Sequence, residues 1–433
     1  MKQIGVGLLG FGTVGAGVAE GLLSNRELLS QRLGVDIVLR KIADLDVTTD
    51  RGIKIPEGML TTDAMSVIHD PEIQIIVELI GGTGIAKKFV LEAINSGKSV
   101  VTANKKLLAE YGGEIFGAAA EKQVDIYFGA SVGGGIPIIR VLREGLSGNR
   151  IETIHGILNG TCNYILTRME HEGLPFDEVL KAAQEAGYAE ADPSLDIDGF
   201  DTAHKATILA SLAYGFYVPL KSVEVEGIRN LSGIDVQYAA QFGYRIKLLA
   251  TIKSGDGEVE VGVHPTLVPM NHMLASVNGV FNAAMIRGDL SGDTLYYGRG
   301  AGRAPTASTV IGDIGDIARN LTFDRPRYAQ AVCTANTGKY QMRPAEKEVS
   351  RFYIRLMVSD RAGALATFTA SLGRHGVSVL AATQKETISN VNNGFVPVVV
   401  LTHPATVEAV ETALHEILVS GVVSEEPVKL RVL

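Results

Sequence analysis

The stretch QIGVGLLGFGTVGAGVAEGLL, Gln3 to Leu23, decides the fold of the first part of the chain. Ile4 to Leu9 is an unbroken apolar run, the pattern of a strand buried on both faces of a parallel sheet. Gly10, Phe11, Gly12, Thr13, Val14 and Gly15 follow as G-x-G-x-x-G, and a helical pattern continues to about Leu33. The three glycines meet separate demands. Gly10 permits a tight turn, Gly12 lets backbone approach a pyrophosphate, and Gly15 lets helix and strand pack closely. The helix N-terminus then faces the phosphates with free amide groups. In a strand–turn–helix context, this spacing predicts a dinucleotide site.

The next segments extend the same sheet. The second strand, within DIVLRKIADLD, carries Asp44 near its end, where a carboxylate meets a ribose 2′-hydroxyl. Arg40 and Lys41 lie close by and suit a 2′-phosphate, so NAD and NADP both stay open. Ile73 to Gly84 reads as a buried strand ending in a glycine-rich loop, and KSVVTANKKLL as a strand to Val101 followed by a loop. In open parallel sheets ligands sit beyond the carboxyl ends of the strands, which is where Thr83, Thr102 and Lys105 fall. The run VDIYFGASVGGGIPII then carries a strand into Gly133, Gly134 and Gly135 and a helix start at Pro137. Such a loop directs backbone groups at a ligand or ion and also serves as a hinge, so the domain boundary is placed here.

Beyond Ile151 the pattern changes. RIETIHGILNGTCNYILTRM alternates like a strand and turns at Asn159, Gly160 and Thr161, and PFDEVLKAAQEAG is an amphipathic helix. In EAGYAEADPSLDIDGFDTAHKATILASLAYG, Glu185, Glu190, Asp192, Asp196, Asp198 and Asp201 precede a helix from about Phe200, with Asp198 as its expected cap. Asp201, Lys205, Ile208 and Leu212 share one face, and the other faces are apolar, so the helix is buried. A lone ammonium there needs carboxylates around it, and Asp201 is one turn away. The bland reading is a structural ion pair. The surplus of carboxylates favours a site that also binds a substrate amine, with Lys205 as a proton donor of tunable pKa. Cys162, in NGTCNY, is the candidate nucleophile of a thioester-forming aldehyde dehydrogenase; its bland reading is a small buried residue with no evident histidine base.

Whole-chain composition excludes several classes. The 433 residues allow about three domains. The chain is 46% hydrophobic and 20% charged, hence globular, and its net charge of −8 gives no general affinity for nucleic acid or anionic membrane. Its two cysteines, Cys162 and Cys333, form no C-x-x-C pair, and its nine histidines show no metal-ligand spacing. No apolar stretch reaches the roughly 18 residues of a membrane span, and the N-terminus enters a strand directly. A cytoplasmic protein is expected.

GFGTVG, ELIGG, VVTANKKLLA, SVGGGIPII, GILNGTCNYILT, GYAEADPSLDIDGFDTAHK and GRGAGRAPTASTVIGDI, in that order, resemble the homoserine dehydrogenase family. The resemblance implies NAD(P)H-dependent reduction of aspartate 4-semialdehyde to L-homoserine, on the way to threonine and methionine. It makes Lys205 the proton donor, with Lys105 near nicotinamide and substrate and Asp201, Glu190 and Asp196 holding the amine or the lysine. Gly160, Thr161 and Tyr188 would line the substrate pocket, and Gly302 would return near the cofactor. A sodium-like cation site of the family would use the carbonyls of Val132, Gly134 and Ile136, but its glutamate position is Gly129 here. Gly84 likewise stands where a glutamate is common.

Met342 to Ser350 reads as a polar linker. The remainder gives strand, turn, helix, two strands, helix and strand, an order that resembles an ACT domain, an amino-acid sensor that pairs with a second copy. The resemblance implies L-threonine as ligand, met by Asp360, Arg361, Gly363, Ala364 and Leu365 at a helix N-terminus, with Asn392 and Asn393 across a subunit interface. A homodimer or homotetramer is expected. The expected architecture is thus α/β: a Rossmann-type nucleotide domain over 1–135, a catalytic and dimerisation α+β domain over 136–340 whose end returns to the first, and a βαββαβ domain over 350–433. Two alternatives remain: an aspartate-semialdehyde dehydrogenase using Cys162, and a catalytically inactive amino-acid sensor.

Overall fold

A computed structural model describes residues 2–323, 340–384 and 394–433. Cys333, Asn392 and Asn393 lie outside the described residues. The first sheet contains β1 (Gln3–Leu9), β2 (Asp36–Ala43), β3 (Leu60–Thr61), β4 (Ile75–Glu78), β5 (Ser99–Thr102) and β6 (Ile126–Tyr127). All pair in parallel, in the order β3-β2-β1-β4-β5-β6. β4 and β5 are buried along their whole length, including the polar Glu78, Ser99 and Thr102 at their ends. The helices are α1 (Thr13–Ser24), α2 (Arg26–Leu33), α3 (Ala64–Ile68), α4 (Gly84–Asn95) and α5 (Lys105–Lys122). The strand order reverses between β1 and β4, and the Gly10 loop emerges at this switch point.

The helical pattern expected to run on to Leu33 is two helices. Asn25 leaves helical geometry at φ −107°, ψ 16°, and α2, with no buried residue, departs along the surface.

After α6 (Ile138–Arg140) come β7 (Ile151–Ile157), α7 (Gly160–Glu172), α8 (Phe176–Glu185), α9 (Ser194–Ile197), α10 (Phe200–Tyr214), β8 (Glu224–Val225) and α11 (Gly233–Gln241). Then follow β9 (Tyr244–Gly255), β10 (Glu258–Pro269), β11 (Phe281–Gly288), β12 (Gly292–Arg299) and α12 (Arg303–Phe323). β12, β11, β7, β9 and β10 pair antiparallel in that order. α12 packs back on α1 with little clearance: a Cβ on Gly21 would sit 2.4 Å from the Ile311 side chain.

The C-terminal part contains β13 (Gln341–Met342), β14 (Val349–Ser359), α13 (Ala364–Arg374), β15 (Val379–Gln384), β16 (Phe395–Thr402), the short β17 (Ala405–Thr406), α14 (Val407–Val419) and β18 (Val428–Val432). Apart from the short β17, this is the expected βαββαβ order, closed over Phe352, Ile354, Phe368, Val400, Val410 and Ile417. The expected polar linker is tied down rather than loose. β13 pairs with β10, and Arg343 reaches Glu258 at 2.9 Å.

The two antiparallel sheets are joined. β18 pairs in parallel with β10 at Thr266↔Arg431 and Leu267↔Val432, giving one sheet in the order β12-β11-β7-β9-β10-β18-β14-β16-β15. Two buried arginines back this seam. Arg355 on β14 meets the fully buried Asp235 of α11 at 2.7 Å, and Arg431 meets Glu348 at 2.8 Å and Glu224 of β8 at 2.9 Å.

Candidate active site

The glycine loop has the geometry that its spacing predicts. Gly10 stands at φ +98°, and a Cβ there would lie 2.7 Å from the Leu79 carbonyl. A Cβ on Gly15 would lie 2.1 Å from the Gly10 oxygen, so helix and turn touch directly. Around Gly12 no atom comes within 4 Å of the Cβ position, which leaves room for an anionic group at the start of α1. Beside it a cavity of about 650 Å³ is lined by Gly10, Gly12, Asp44, Arg51, Thr62 and Ile80 among others. Thr13 and Val14 form the first turn of α1, and Phe11 is buried. These residues fit a dinucleotide.

Asp44 faces this cavity and also shapes it, accepting from the Phe11 amide at 2.5 Å and from the Asp46 amide at 2.9 Å. Arg40 and Lys41 do not serve as the expected basic partners. Arg40 bonds Gln3 and Lys41 pairs with Asp70 at 3.1 Å, and neither lines the pocket. The basic group lining the pocket is Arg51, from the loop after β2.

The ends of β4 and β5 are tied together by a carboxylate. Glu78 is fully buried and accepts from the amides of Ile80 and Gly81 at 2.9 and 3.2 Å and from the Thr102 hydroxyl at 2.6 Å. Thr102 is therefore inside, its hydroxyl spent on Glu78; it supports the loop and does not face a ligand. Thr83 heads α4 without a side-chain capping bond. Asn104 caps α5 through Leu107 and donates to the Gly82 carbonyl at 2.7 Å. Lys105, the first residue of α5, is turned toward α10.

There the acidic stretch and the buried helix converge. On α10 every residue except Phe200 and Ala213 is buried. Asp201 bridges both lysines: one carboxylate oxygen lies 2.6 Å from Lys205 Nζ, the other 3.1 Å from Lys105 Nζ. Lys205 also donates to the Leu158 carbonyl at 2.6 Å. Asn159 Nδ2 donates to Asp201 at 2.8 Å and to Asp196 at 2.7 Å. Burial pushes the Asp201 carboxyl up, but Lys205 and Lys105 outweigh it and hold the group well below the carboxylate range. Burial pulls the Lys105 ammonium down, and Asp201, with Asp196 and Glu190 further off, more than restores it. Asp196 is raised, by burial and by the charge of Asp201. Asp198 does not cap α10. Gly199, at φ +89°, takes that position, and Asp198 pairs with Arg229 at 2.8 Å.

The expected turn at Asn159–Thr161 is the start of α7, capped by Asn159 through the Cys162 amide. Gly160 permits close approach, since a Cβ there would lie 2.8 Å from the Val280 carbonyl. Thr161 donates to the Tyr188 carbonyl at 2.7 Å, and the half-exposed Tyr188 ring rests against Tyr164. Glu190 is exposed at the rim. Cys162 is fully buried, its thiol pushed up by burial and directed at the Asp196 carbonyl, so it is not poised as a nucleophile.

Two of the three carbonyls expected to hold a cation already accept hydrogen bonds. The Gly134 carbonyl accepts from the Thr309 hydroxyl at 2.7 Å and the Ile136 carbonyl from the Ile138 amide at 2.8 Å. A Cβ at Gly129 would meet the Thr309 methyl at 2.9 Å and both Asp313 carboxylate oxygens at 3.0 Å. Val132 is buried. The loop carrying Gly302, at φ +118°, packs against this segment, since a Cβ on Gly134 would lie 2.5 Å from the Gly300 oxygen. Elsewhere Glu224, His264 and Glu348 come together, but Arg431 already sits on both carboxylates.

In the C-terminal part, Asp360 to Leu365 link β14 to α13 as expected. Gly363 is at φ +89° with open space around its Cβ position, so backbone conformation rather than crowding calls for glycine. Ala364 is buried and Leu365 half exposed.

Sequence reasoning missed Asn159, Glu78, Asn104 and Arg51. An asparagine just before a helical pattern is a capping signal, and both asparagines carried it. Nothing local marked Glu78 or Arg51.

Three comparisons bear on this constellation. Residues 137–314 match the family profile "Homoserine dehydrogenase", residues 10–129 "Homoserine dehydrogenase, NAD binding domain", and residues 352–419 "ACT domain". A homoserine dehydrogenase of Neisseria gonorrhoeae is 45% identical over 420 residues, 96% of this chain and 95% of that protein. The crystal structure of a homoserine dehydrogenase from Thiobacillus denitrificans superposes with a TM-score of 0.93 at 43% identity, covering 100% of this chain and 99% of that one. A hyperthermophilic archaeal homoserine dehydrogenase in complex with NADPH superposes at 0.62 with 28% identity, covering 75% of this chain and 99% of its own. With both family profiles matched and a relative 45% identical over 96% of its length, the chain belongs to the homoserine dehydrogenase family, oxidoreductases that bind a nicotinamide dinucleotide.

Proposed function

We propose that the chain interconverts L-aspartate 4-semialdehyde and L-homoserine, acting as a reductase in biosynthesis. The observation that carries this is the Lys205–Asp201–Lys105 bridge beyond the carboxyl ends of a nucleotide-binding sheet. Bound at the Gly10–Gly15 loop, the dinucleotide supplies the hydride. Lys205 gives its ammonium proton to the substrate oxygen as the carbonyl carbon is reduced, leaving a hydroxyl and a neutral amine. Asp201 orients Lys205 through one carboxylate oxygen and shares the other with Lys105, which steadies the same substrate oxygen. Asp196, Glu190 and the Tyr188 carbonyl region receive the substrate ammonium. Gly160 and Thr161 form the floor.

Cofactor choice rests on Asp44, which favours a 2′-hydroxyl, against Arg51, which favours a 2′-phosphate; the Phe11–Asp44 bond supports NAD. The C-terminal module, by its fold, suits an amino-acid effector, with L-threonine as the end product that its Asp360–Leu365 turn would bind, and a subunit pair as its working form. Homoserine-dependent reduction of NAD⁺ and NADP⁺, with and without threonine, tests the reaction, the cofactor choice and the effector; sedimentation of the purified chain tests the subunit pair. Lys205→Ala should lower turnover by about 10²-fold or more while the dinucleotide still binds. Near-normal turnover in a folded variant would overturn the assignment.

A further inference from the structure

The segment after β8 lies against the back of α9 with no clearance. Glu226 donates its amide to the Val263 carbonyl at 2.7 Å, and Ile228 donates to the Ile197 carbonyl at 2.7 Å. A Cβ on Gly227 would lie 2.1 Å from the Ile197 oxygen and 2.4 Å from Asp198 Cα. Arg229 clasps Asp198 with two bonds and reaches Ser194 at 3.3 Å. Residues 224–229 therefore form a strap that fixes α9, and α9 carries Asp196, which shares Asn159 with Asp201.

The other side of the strap is held by the C-terminal module. Arg431, on β18 and 4% exposed, bonds Glu224 at 2.9 Å and lies 3.7 Å from Glu226, while Lys429 lies 3.8 Å from Glu226. The backbone ladder between β18 and β10 is only two residue pairs long. The strap itself pairs with β10 at Gly262↔Glu224 and Val263↔Val225, so between strap and module side-chain charge adds to a backbone framework that both share. A cavity of about 790 Å³, lined by Phe200, Glu226, Arg229, Glu426 and Lys429 among others, separates strap and module on the outer side and leaves room for relative movement.

We infer that Arg431 is a positioning residue for the substrate site: through Glu224 and Glu226 it seats the 224–229 strap, and the strap seats Asp196. This rests on the proposed function in that Asp196 receives the substrate ammonium. It assigns the C-terminal module a role in forming the amine subsite, whatever effector the module binds.

The test uses the full chain. Arg431→Met should raise the KM for homoserine by about fivefold or more, the lower end of site-to-site coupling, with the KM for the dinucleotide unchanged. Arg431→Lys should recover part of the loss. Glu226→Gln removes the charge that Arg431 and Lys429 face on the strap and should show the same split in milder form, which keeps the inference testable if Arg431→Met does not fold. Amide exchange at Ile197 and Asp198 should quicken in both variants, a readout that needs no substrate. Unchanged homoserine KM and unchanged exchange in folded Arg431→Met would overturn the inference. So would equal losses for homoserine and dinucleotide, which mark a merely structural residue. A wild-type chain that does not oxidise homoserine would instead overturn the proposed function, and the exchange data would still decide the strap.

Discussion

Asp201→Asn removes one charge from between two ammonium groups while nearly keeping the shape of the side chain. The contacts are 2.6 Å to Lys205 and 3.1 Å to Lys105. At an effective dielectric of about 20, each such contact is worth roughly 5–6 kcal/mol before desolvation. Burial of Asp201 offsets most of that sum, leaving about 3–4 kcal/mol as the loss expected when one partner of a buried pair is removed. If that loss falls on the transition state, turnover drops by about 10²- to 10³-fold. A second effect has a definite sign. Asp201 is what holds the Lys105 ammonium above its ordinary range against burial, so without it that ammonium releases its proton at lower pH. In the reductive direction a protonated site is needed, and the alkaline limb of the pH–rate profile should move to lower pH. Steady-state turnover followed by nicotinamide absorbance across pH measures both effects, with circular dichroism to confirm the fold. Turnover within about threefold of wild type and an unmoved alkaline limb would refute the bridging role.

Asp44→Ser should shift the efficiency ratio toward NADP, and Arg51→Ala toward NAD; an unchanged ratio in both would show that neither side chain faces the ribose. Exchanging sodium for potassium or a bulky organic cation at constant ionic strength should leave the rate unchanged, because position 129 is glycine and offers no carboxylate to offset a cation's charge; a steep, saturable dependence on low alkali cation would contradict this. Lys247 is 1% exposed and bonded to the Val277 carbonyl, and burial pulls its ammonium down to about 8. Between that pH and the ordinary 10.5 the unfolded chain holds a proton that the folded chain has released, so stability should gain up to about 3 kcal/mol as pH rises through this window. Denaturant titrations at pH 7.5 and 10 should show this rise in wild type and not in Lys247→Met, after normalising to a common reference variant.

The parts of the site that sequence reveals are those written in short range. Gly10, Gly12 and Gly15 lie within six residues, and Asp201 and Lys205 stand one helical turn apart, so spacing alone places them. Asn159 was read as a turn because its partners Asp196 and Asp201 are 37 and 42 residues away. Arg51 sits in a loop whose path no periodicity describes. The break at Asn25 escaped notice because apolar spacing persists across it, although α2 buries nothing. The seam between modules was illegible for the same reason: Arg355 finds Asp235 across 120 positions, and Arg431 finds Glu224 across 207. Such pairs follow from how sheets are stacked and joined, which hydrophobic pattern does not encode.

The shared sheet has a consequence for how the chain is made. Synthesis is vectorial, and domains generally fold as they emerge. β10 is finished long before β18 exists, so at Thr266 and Leu267 the nascent body presents an unpaired strand edge, with the carboxylate of Glu224 on the neighbouring β8 awaiting its guanidinium partner. An open edge of this kind is a template for wrong pairing with another chain. β18 closes that edge when it docks, and Arg431 arrives with it to meet Glu224.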